Sequence, residues 1–326
     1  MLFGLLKSPL VAKNPLYKKA YLNNVKKKIP GFSAKPGFVI VENTNFCNLS
    51  CVFCANEQMR RPRGFIQRQL FDKIVKDCAS AGIDNLLIQG YGEPLLDSDY
   101  IDKARFAKDA GIKSVYCVTN GILLNETVAA GLVEGRLDYL CVSIDAASAA
   151  TYSKIHKDHL SGRPSDKFDT VMRNVAGLAK ARARGRSKKP FIQLRFKDFD
   201  LNRVDFRNFL KQYSSMADEV NVYMNITNWP GSSVKNNLPD SPPGIRFPCS
   251  NLWTTLFITY TGEAALCCQD YEARVIIGDA NKEGIIDIWK GEKLGAIRRL
   301  HMAGEFAKVE VCRDCVINTH YVSPWW

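Results

Sequence analysis

No stretch of 18 uncharged apolar residues occurs in the 326-residue chain, so the sequence offers no candidate membrane-spanning helix. The opening "MLFGLLKSPLVAK" is too short, and its charges too misplaced, for a secretory signal. The expected location is the cytoplasm. Acidic residues are the minority charge, 33 against 45 Lys and Arg, which leaves a net charge of +12. Two basic clusters, residues 17–28 and 180–189, lack the interleaved aromatics of a base-stacking surface. They read as solvated helix faces, no RNA-binding motif accompanies them, and a nucleic-acid partner is not expected. An anionic group on a small substrate would suit the positive balance. Internal repeats are also missing.

Cysteine, by contrast, is plentiful: eleven residues in all. Disulfides are disfavoured in a cytoplasmic chain, and one that is 46% hydrophobic has core enough without them. Metal or redox chemistry is therefore the leading account. Seven cysteines fall into spaced groups: Cys47, Cys51 and Cys54; Cys249; Cys267; and Cys312 with Cys315. Cys78 lies in a helical pattern and Cys117 and Cys141 in strand patterns, so these three read as core.

From residue 37 to about 230, apolar runs alternate with amphipathic segments. Strands are expected at 38–44, 85–94, 113–121, 137–146, 191–196 and 219–226. Helices are expected at about 67–81, 98–110 and 166–183, with further helical segments after the third and fifth strands. Continuous apolar strands alternating with helices argue for a parallel sheet, and six such units suit a closed or partly closed β/α barrel. Residues 228–248, rich in Pro, Gly, Ser and Asn, break the pattern as a linker. Beyond them, 256–268 reads as a β-hairpin turning at Gly262, followed by a helix around 284–300 and the terminal "CRDC". The expected layout is a basic extension at 1–36, a barrel at 37–230, a linker at 231–248 and a small metal-binding domain at 249–326.

The CxxxCxxC group stands just past the first strand, at the end where β/α barrels hold their sites. Zinc would ask for a fourth protein ligand, and no neighbouring His or Cys offers one. A cubane iron–sulfur cluster on three thiolates leaves one iron open to a small molecule. Here the sequence resembles the radical S-adenosylmethionine (SAM) superfamily. Phe53 stands directly before the last cysteine, as in the family. "GYGEP", residues 90–94, looks like the family's GGEP segment, with Tyr91 in place of a glycine.

The resemblance implies roles for each of these positions. Gly90, Tyr91, Gly92 and Glu93 would hold the methionyl amine of SAM, an ammonium that needs acceptors. Thr119 and Asn120 of "TNG", and Ser143 and Asp145 of "SID", would contact its ribose and carboxylate. Ser143 and Asp145 share strand parity, so both are expected to face the interior. Arg195 has the fork geometry of a carboxylate partner. The chemistry implied is reductive cleavage of SAM to a 5′-deoxyadenosyl radical that takes hydrogen from a C–H bond. An external electron donor such as flavodoxin or ferredoxin is implied as well.

Cys249, Cys267, Cys312 and Cys315 supply four thiols, enough for a fully ligated cluster or a structural zinc. The region resembles the SPASM/twitch domain that follows many radical SAM barrels, in its shorter twitch form. That resemblance implies a second [4Fe–4S] cluster and a partial (β/α)6 barrel carrying a small hairpin-plus-helix cluster domain. By the resemblance, the family's spacing from Gly262 favours Cys267 over its neighbour as the ligand. Cys268 is then a candidate hydrogen-atom donor or a small buried residue. Asp270 is expected to orient this neighbourhood or to cap a turn. His156 and His159 read as surface or loop residues, and the terminal "PWW" as packing on the barrel.

By resemblance, enzymes of this kind oxidise a secondary alcohol of an aminocyclitol or sugar, epimerise a carbon, or modify ribosomally made peptides. Only about 36 residues precede the barrel, too few for a peptide-recognition module. The expectation is therefore a dehydrogenase or epimerase of a sugar, aminocyclitol or nucleoside-like substrate, with peptide maturation as the alternative.

Overall fold

The computed structural model describes residues 34–223, 248–313 and 315, together with isolated positions 19, 23 and 27. Nearly all of the expected N-terminal extension and of the linker, and the terminal "PWW", lie outside the described residues.

Six parallel strands form the barrel portion: β1 (Phe38–Val41), β3 (Asn85–Ile88), β4 (Ser114–Thr119), β5 (Tyr139–Ser143), β7 (Phe191–Lys197) and β8 (Glu219–Tyr223). They lie side by side in that order. The crossover helices are α1 (Arg68–Ser80), α2 (Tyr100–Asp109), α3 (Glu126–Glu134), α4 (Ala149–Ile155), α5 (Phe168–Arg184) and α6 (Phe206–Tyr213). Helix α1 buries Phe71, Ile74, Val75 and Cys78, the spacing that puts one stripe against the sheet. Burial alternates along β1, β3 and β4 rather than running continuous. One face meets the helices, while Ile40, Leu87 and Val118 on the other line an internal cavity. An aromatic row at the strand starts floors that interior: Phe38 packs on Tyr116 at 4.9 Å, Tyr116 on Tyr139 at 5.4 Å and Tyr139 on Phe191 at 5.5 Å.

The six strands do not close on themselves. The free edge of β1 is taken by β9 (Thr255–Ile258), which pairs parallel to it with Phe38 opposite Thr255. Strands β10 (Glu263–Ala265) and β11 (Ile276–Asp279) continue the sheet antiparallel, so the expected hairpin is an extension of the barrel sheet. Gly262 turns that hairpin at φ +94°, where a side chain would strain the backbone. The helix expected over 284–300 is two, Ile285–Lys290 and Glu292–Ala303, because Gly291 is extended. A small two-stranded ribbon was not anticipated: β2 (Leu49–Cys51), inside the cysteine loop, pairs antiparallel with β6 (His156–Asp158). Among the described residues no helix is long and apolar enough to cross a membrane.

Candidate cluster and cofactor site

The cysteine loop leaves β1 at its C-terminal end and is held from several sides. The β2–β6 ribbon fixes Cys51 opposite His156. Cys54 begins a 3-10 turn, its Sγ accepting the Asn56 amide at 3.4 Å. Cys47, Cys51 and Cys54 all open into one cavity of about 420 Å³ at the C-terminal mouth of the sheet. Burial pushes the Cys47 thiol up to about 12 and raises those of Cys51 and Cys54 as well. Ligation must therefore supply the free energy that deprotonates them.

His156 is the main correction to the sequence reading. It is 2% exposed, not on the surface, and its ring reaches the first cysteine group from more than a hundred residues away. Its Nε2 lies 3.1 Å from the Ile144 carbonyl, an acceptor, so that nitrogen carries the proton. The other ring nitrogen, Nδ1, faces Cys51 Sγ at 3.1 Å. Burial lowers the imidazole to about 4, which keeps it neutral. His159 is exposed as expected and touches Ser50 Oγ at 3.0 Å.

The glycine segment packs directly beneath the cysteine loop. A Cβ on Gly92 would sit 2.3 Å from the Phe46 carbonyl oxygen, and one on Gly90 would sit 2.2 Å from the Glu42 side chain. The Glu93 amide donates to Phe46 O at 2.8 Å. Its carboxylate is buried and already receives Thr119 Oγ1 at 2.6 Å, the Asn120 amide at 2.8 Å and the Leu95 amide at 3.2 Å. Burial nevertheless raises its pKa to about 7 against those three donors. The Asn120 side chain ties back to Asn48 at 2.7 Å, on the cysteine loop.

Strand parity does not govern Asp145, because β5 ends at Ser143 and Asp145 adopts φ +59°. Both residues still reach the cavity, with Ser143 Oγ 3.3 Å from Asp145 Oδ2. Asp145 also accepts the Lys197 amide at 2.7 Å and stands 3.6 Å from the Lys197 ammonium. Arg195 and Lys197 sit two apart on β7, so both face the cavity. Lys197, which the sequence reading missed, lies over the Phe53 ring at 3.9 Å from its centroid. Its two-residue offset from Arg195 was the available signal.

A second, smaller cavity gathers Cys249, Cys267, Cys312 and Cys315, with buried His301 beside them. His301 accepts the Cys249 amide at 3.3 Å through Nδ1. Cys268, one residue on from Cys267, opens into the large cavity instead, and Gln269 lines both. Asp270 is buried and accepts the amides of Arg274 at 3.0 Å and Val275 at 2.8 Å, so it caps a turn. Cys78, Cys117 and Cys141 are buried.

The two cysteine groups are tied together by residues outside every sequence motif. Glu42, fully buried just after β1, pairs bidentately with Arg61 at 2.9 Å and 2.9 Å. It also accepts the amides of Tyr91 and Tyr260, each at 3.3 Å. Arg61 in turn donates through Nε to the Tyr271 carbonyl at 2.7 Å, and Glu272 accepts the amides of Arg60 and Arg61. The cysteine loop, the glycine segment and the C-terminal region thus meet on one carboxylate.

Among the described residues no three Cys, His, Asp or Glu side chains converge tightly enough to hold a single ion. Each thiol group lines a cavity, of about 420 Å³ for the first and about 20 Å³ for the second. Three half-buried thiols beside polar strand ends and a carboxylate offer three metal ligands on one cavity.

Comparisons with known proteins give the class. Residues 41–187 match the radical SAM superfamily, and residues 249–316 match the iron–sulfur cluster-binding domain called SPASM. The chain belongs to the radical SAM superfamily and carries a C-terminal SPASM-type domain. With those domains come SAM, a [4Fe–4S] cluster and additional iron–sulfur clusters. One relative is a probable GTP 3′,8-cyclase of Methanopyrus kandleri, 34% identical over 123 residues, 38% of this chain and 39% of that protein. The chain spans only about two fifths of the length of the first such curated relatives. Among solved structures, BtrN in complex with AdoMet and 2-DOIA aligns with TM-score 0.57 at 18% identity, covering 86% of this chain and 92% of that one. SuiB of Streptococcus suis, bound to S-adenosylmethionine, aligns with TM-score 0.64 at 13% identity, covering 85% and 72%. At such identities these likenesses establish the fold.

Proposed function

We propose that the chain is an oxidoreductase that takes hydrogen from a C–H bond of a sugar, aminocyclitol or nucleoside-like substrate. The outcome is dehydrogenation or epimerisation in natural-product biosynthesis, assisted by an auxiliary [4Fe–4S] cluster. The observation that carries this reading is the single cavity shared by Cys47, Cys51, Cys54, the polar strand ends and Cys268, with auxiliary ligand Cys267 adjacent in the chain. Its volume suits the enclosure of a small molecule.

In this reading Cys47, Cys51 and Cys54 hold the open cluster, and Cys249, Cys267, Cys312 and Cys315 hold the auxiliary one. Glu93, with the backbone of Gly90, Tyr91 and Gly92, receives the methionyl amine. Thr119, Asn120, Ser143 and Asp145 orient the ribose and carboxylate, Arg195 pairs with the carboxylate, and Phe53 walls the cofactor. The bound cluster and SAM supply a 5′-deoxyadenosyl radical. The protein's own task is to hold the substrate C–H against it and exclude competing hydrogen donors. Cys268 is positioned to return hydrogen if the reaction is an epimerisation. The barrel (37–230), linker (231–248) and cluster domain (249–326) form the working unit, reduced in the cytoplasm by a flavodoxin- or ferredoxin-type donor.

The test begins with iron and sulfide per chain after anaerobic reconstitution. About eight irons should fall to about four in a Cys47/Cys51/Cys54→Ala triple variant. Four falling to none would remove the auxiliary cluster from the mechanism. Panels of cyclitols, sugars, nucleosides and peptides are then scored for 5′-deoxyadenosine release above background. Stimulation by peptides alone would overturn the small-molecule substrate in favour of peptide maturation.

A further inference from the structure

We propose that Tyr91 is a positioning residue that decides which of two adjacent cysteines faces the cofactor cavity. Its phenol holds the main chain at Cys268, so that the Cys268 thiol opens beside Cys47, Cys51 and Cys54 while Cys267 turns to the auxiliary thiols. The proposal rests on the reading above that SAM occupies the larger cavity.

Tyr91 is anchored on the barrel side at both ends of its own residue. Its amide donates to Glu42 at 3.3 Å, and its carbonyl accepts the Asn56 side chain at 2.7 Å. The ring stands edge-on to Phe257 and to Tyr271, with centroids 6.2 Å away in each case. From there the hydroxyl donates to the Cys268 carbonyl. A glycine, the residue of the resembled motif, could not make this contact. Burial keeps the phenol protonated, so it remains a donor.

The loop it holds has no strand pairing of its own at the cysteines. Residues 266–275 join β10 to β11, closed by the Leu266 amide on the Val275 carbonyl at 2.9 Å and capped by Asp270. Arg61 grips the same loop further along, at Tyr271. With Tyr271 fixed, rotation about the 267–268 backbone is the freedom that would exchange the two thiols. Tyr91 removes it. The departure from glycine in the cofactor motif therefore links that motif directly to the auxiliary region.

The experiment is anaerobic alkylation of reconstituted holoprotein by N-ethylmaleimide, mapped by mass spectrometry with and without SAM. In the unaltered chain SAM should slow modification of Cys268, and Cys267 should stay unmodified. Tyr91→Phe keeps the ring and loses only the hydroxyl. Protection of Cys268 should fall about tenfold, the effect of one buried hydrogen bond, and Cys267 should begin to react. Protection is compared at SAM concentrations that saturate each protein by equilibrium dialysis, and buried Cys78 should stay unreactive as the sign that the fold persists. Placing 4-aminophenylalanine at position 91 returns a donor and should restore protection, whereas 4-methylphenylalanine, which fills the space without donating, should not. Equal protection in wild type and Tyr91→Phe overturns the role of Tyr91 alone. No protection in the unaltered chain overturns the placement of SAM beside Cys268, and this role with it.

Discussion

Arg61 and Glu42 form a bidentate ion pair with 2.9 Å contacts, and the Glu42 side chain is wholly shielded from solvent. Two backbone amides from different parts of the chain complete the carboxylate's shell, at Tyr91 and Tyr260. Removing the guanidinium would leave a buried charge with only those amides. Arg61→Met should therefore cost on the order of 3 kcal/mol of unfolding free energy, measured by urea denaturation of the metal-free protein. A loss under about 1 kcal/mol would show that the pair is not the joint described.

Gly92→Ala should damage the first cysteine group selectively. The added methyl meets the carbonyls of Phe46 and Thr44 at 2.3 Å and 2.5 Å, and backbone cannot step aside as a side-chain tip can. Reconstituted iron should drop from about eight to about four per chain, with the auxiliary cluster's spectrum unchanged. Full iron loading would contradict the tight packing of this segment under the cysteine loop.

Glu93 makes a prediction in pH. Burial raises its carboxyl from the ordinary 4.5 to about 7, so the folded chain binds this proton more tightly than the unfolded one. The resulting stability is fully present below pH 4.5 and is lost as pH rises through about 7. Between those limits the metal-free wild type should lose on the order of 3 kcal/mol relative to Glu93→Gln, read from denaturation curves at stepped pH. Parallel curves for the two proteins would mean that Glu93 is ionised throughout.

Neighbouring cysteines should behave as opposites. Cys267→Ala should lose auxiliary iron, whereas Cys268→Ala should keep full iron and keep SAM cleavage. If Cys268 returns hydrogen, its alanine variant releases 5′-deoxyadenosine without epimer. Unchanged epimer yield would sink that role, and unchanged iron in Cys267→Ala would reassign the ligand.

Much of this was legible in the chain because the chemistry is written in short spacings. Cys47, Cys51 and Cys54 lie within eight residues, and each strand ends beside a recognisable polar group, so period and motif located the cavity's rim together. Local pattern also gave α1 and α5 nearly to their ends, since their apolar stripes recur at helical spacing. It failed where the contact is long-range. His156 carries no motif, and only the β2–β6 pairing brings it to Cys51. Glu42 carries no motif either, and its partners Arg61, Tyr91 and Tyr260 lie far from it along the chain.

The sequence by itself determined the ligand types, the strand–helix order and the class of chemistry, because thiol spacing and apolar periodicity are properties of neighbours along the chain. Tertiary structure alone decided that β9 docks on β1, that Cys268 faces the first cavity while Cys267 faces the second, and that Tyr91 reaches across between them. Those outcomes depend on which buried donors and acceptors find partners once the sheet and its loops have packed, and no local window of sequence contains both halves of such a pair.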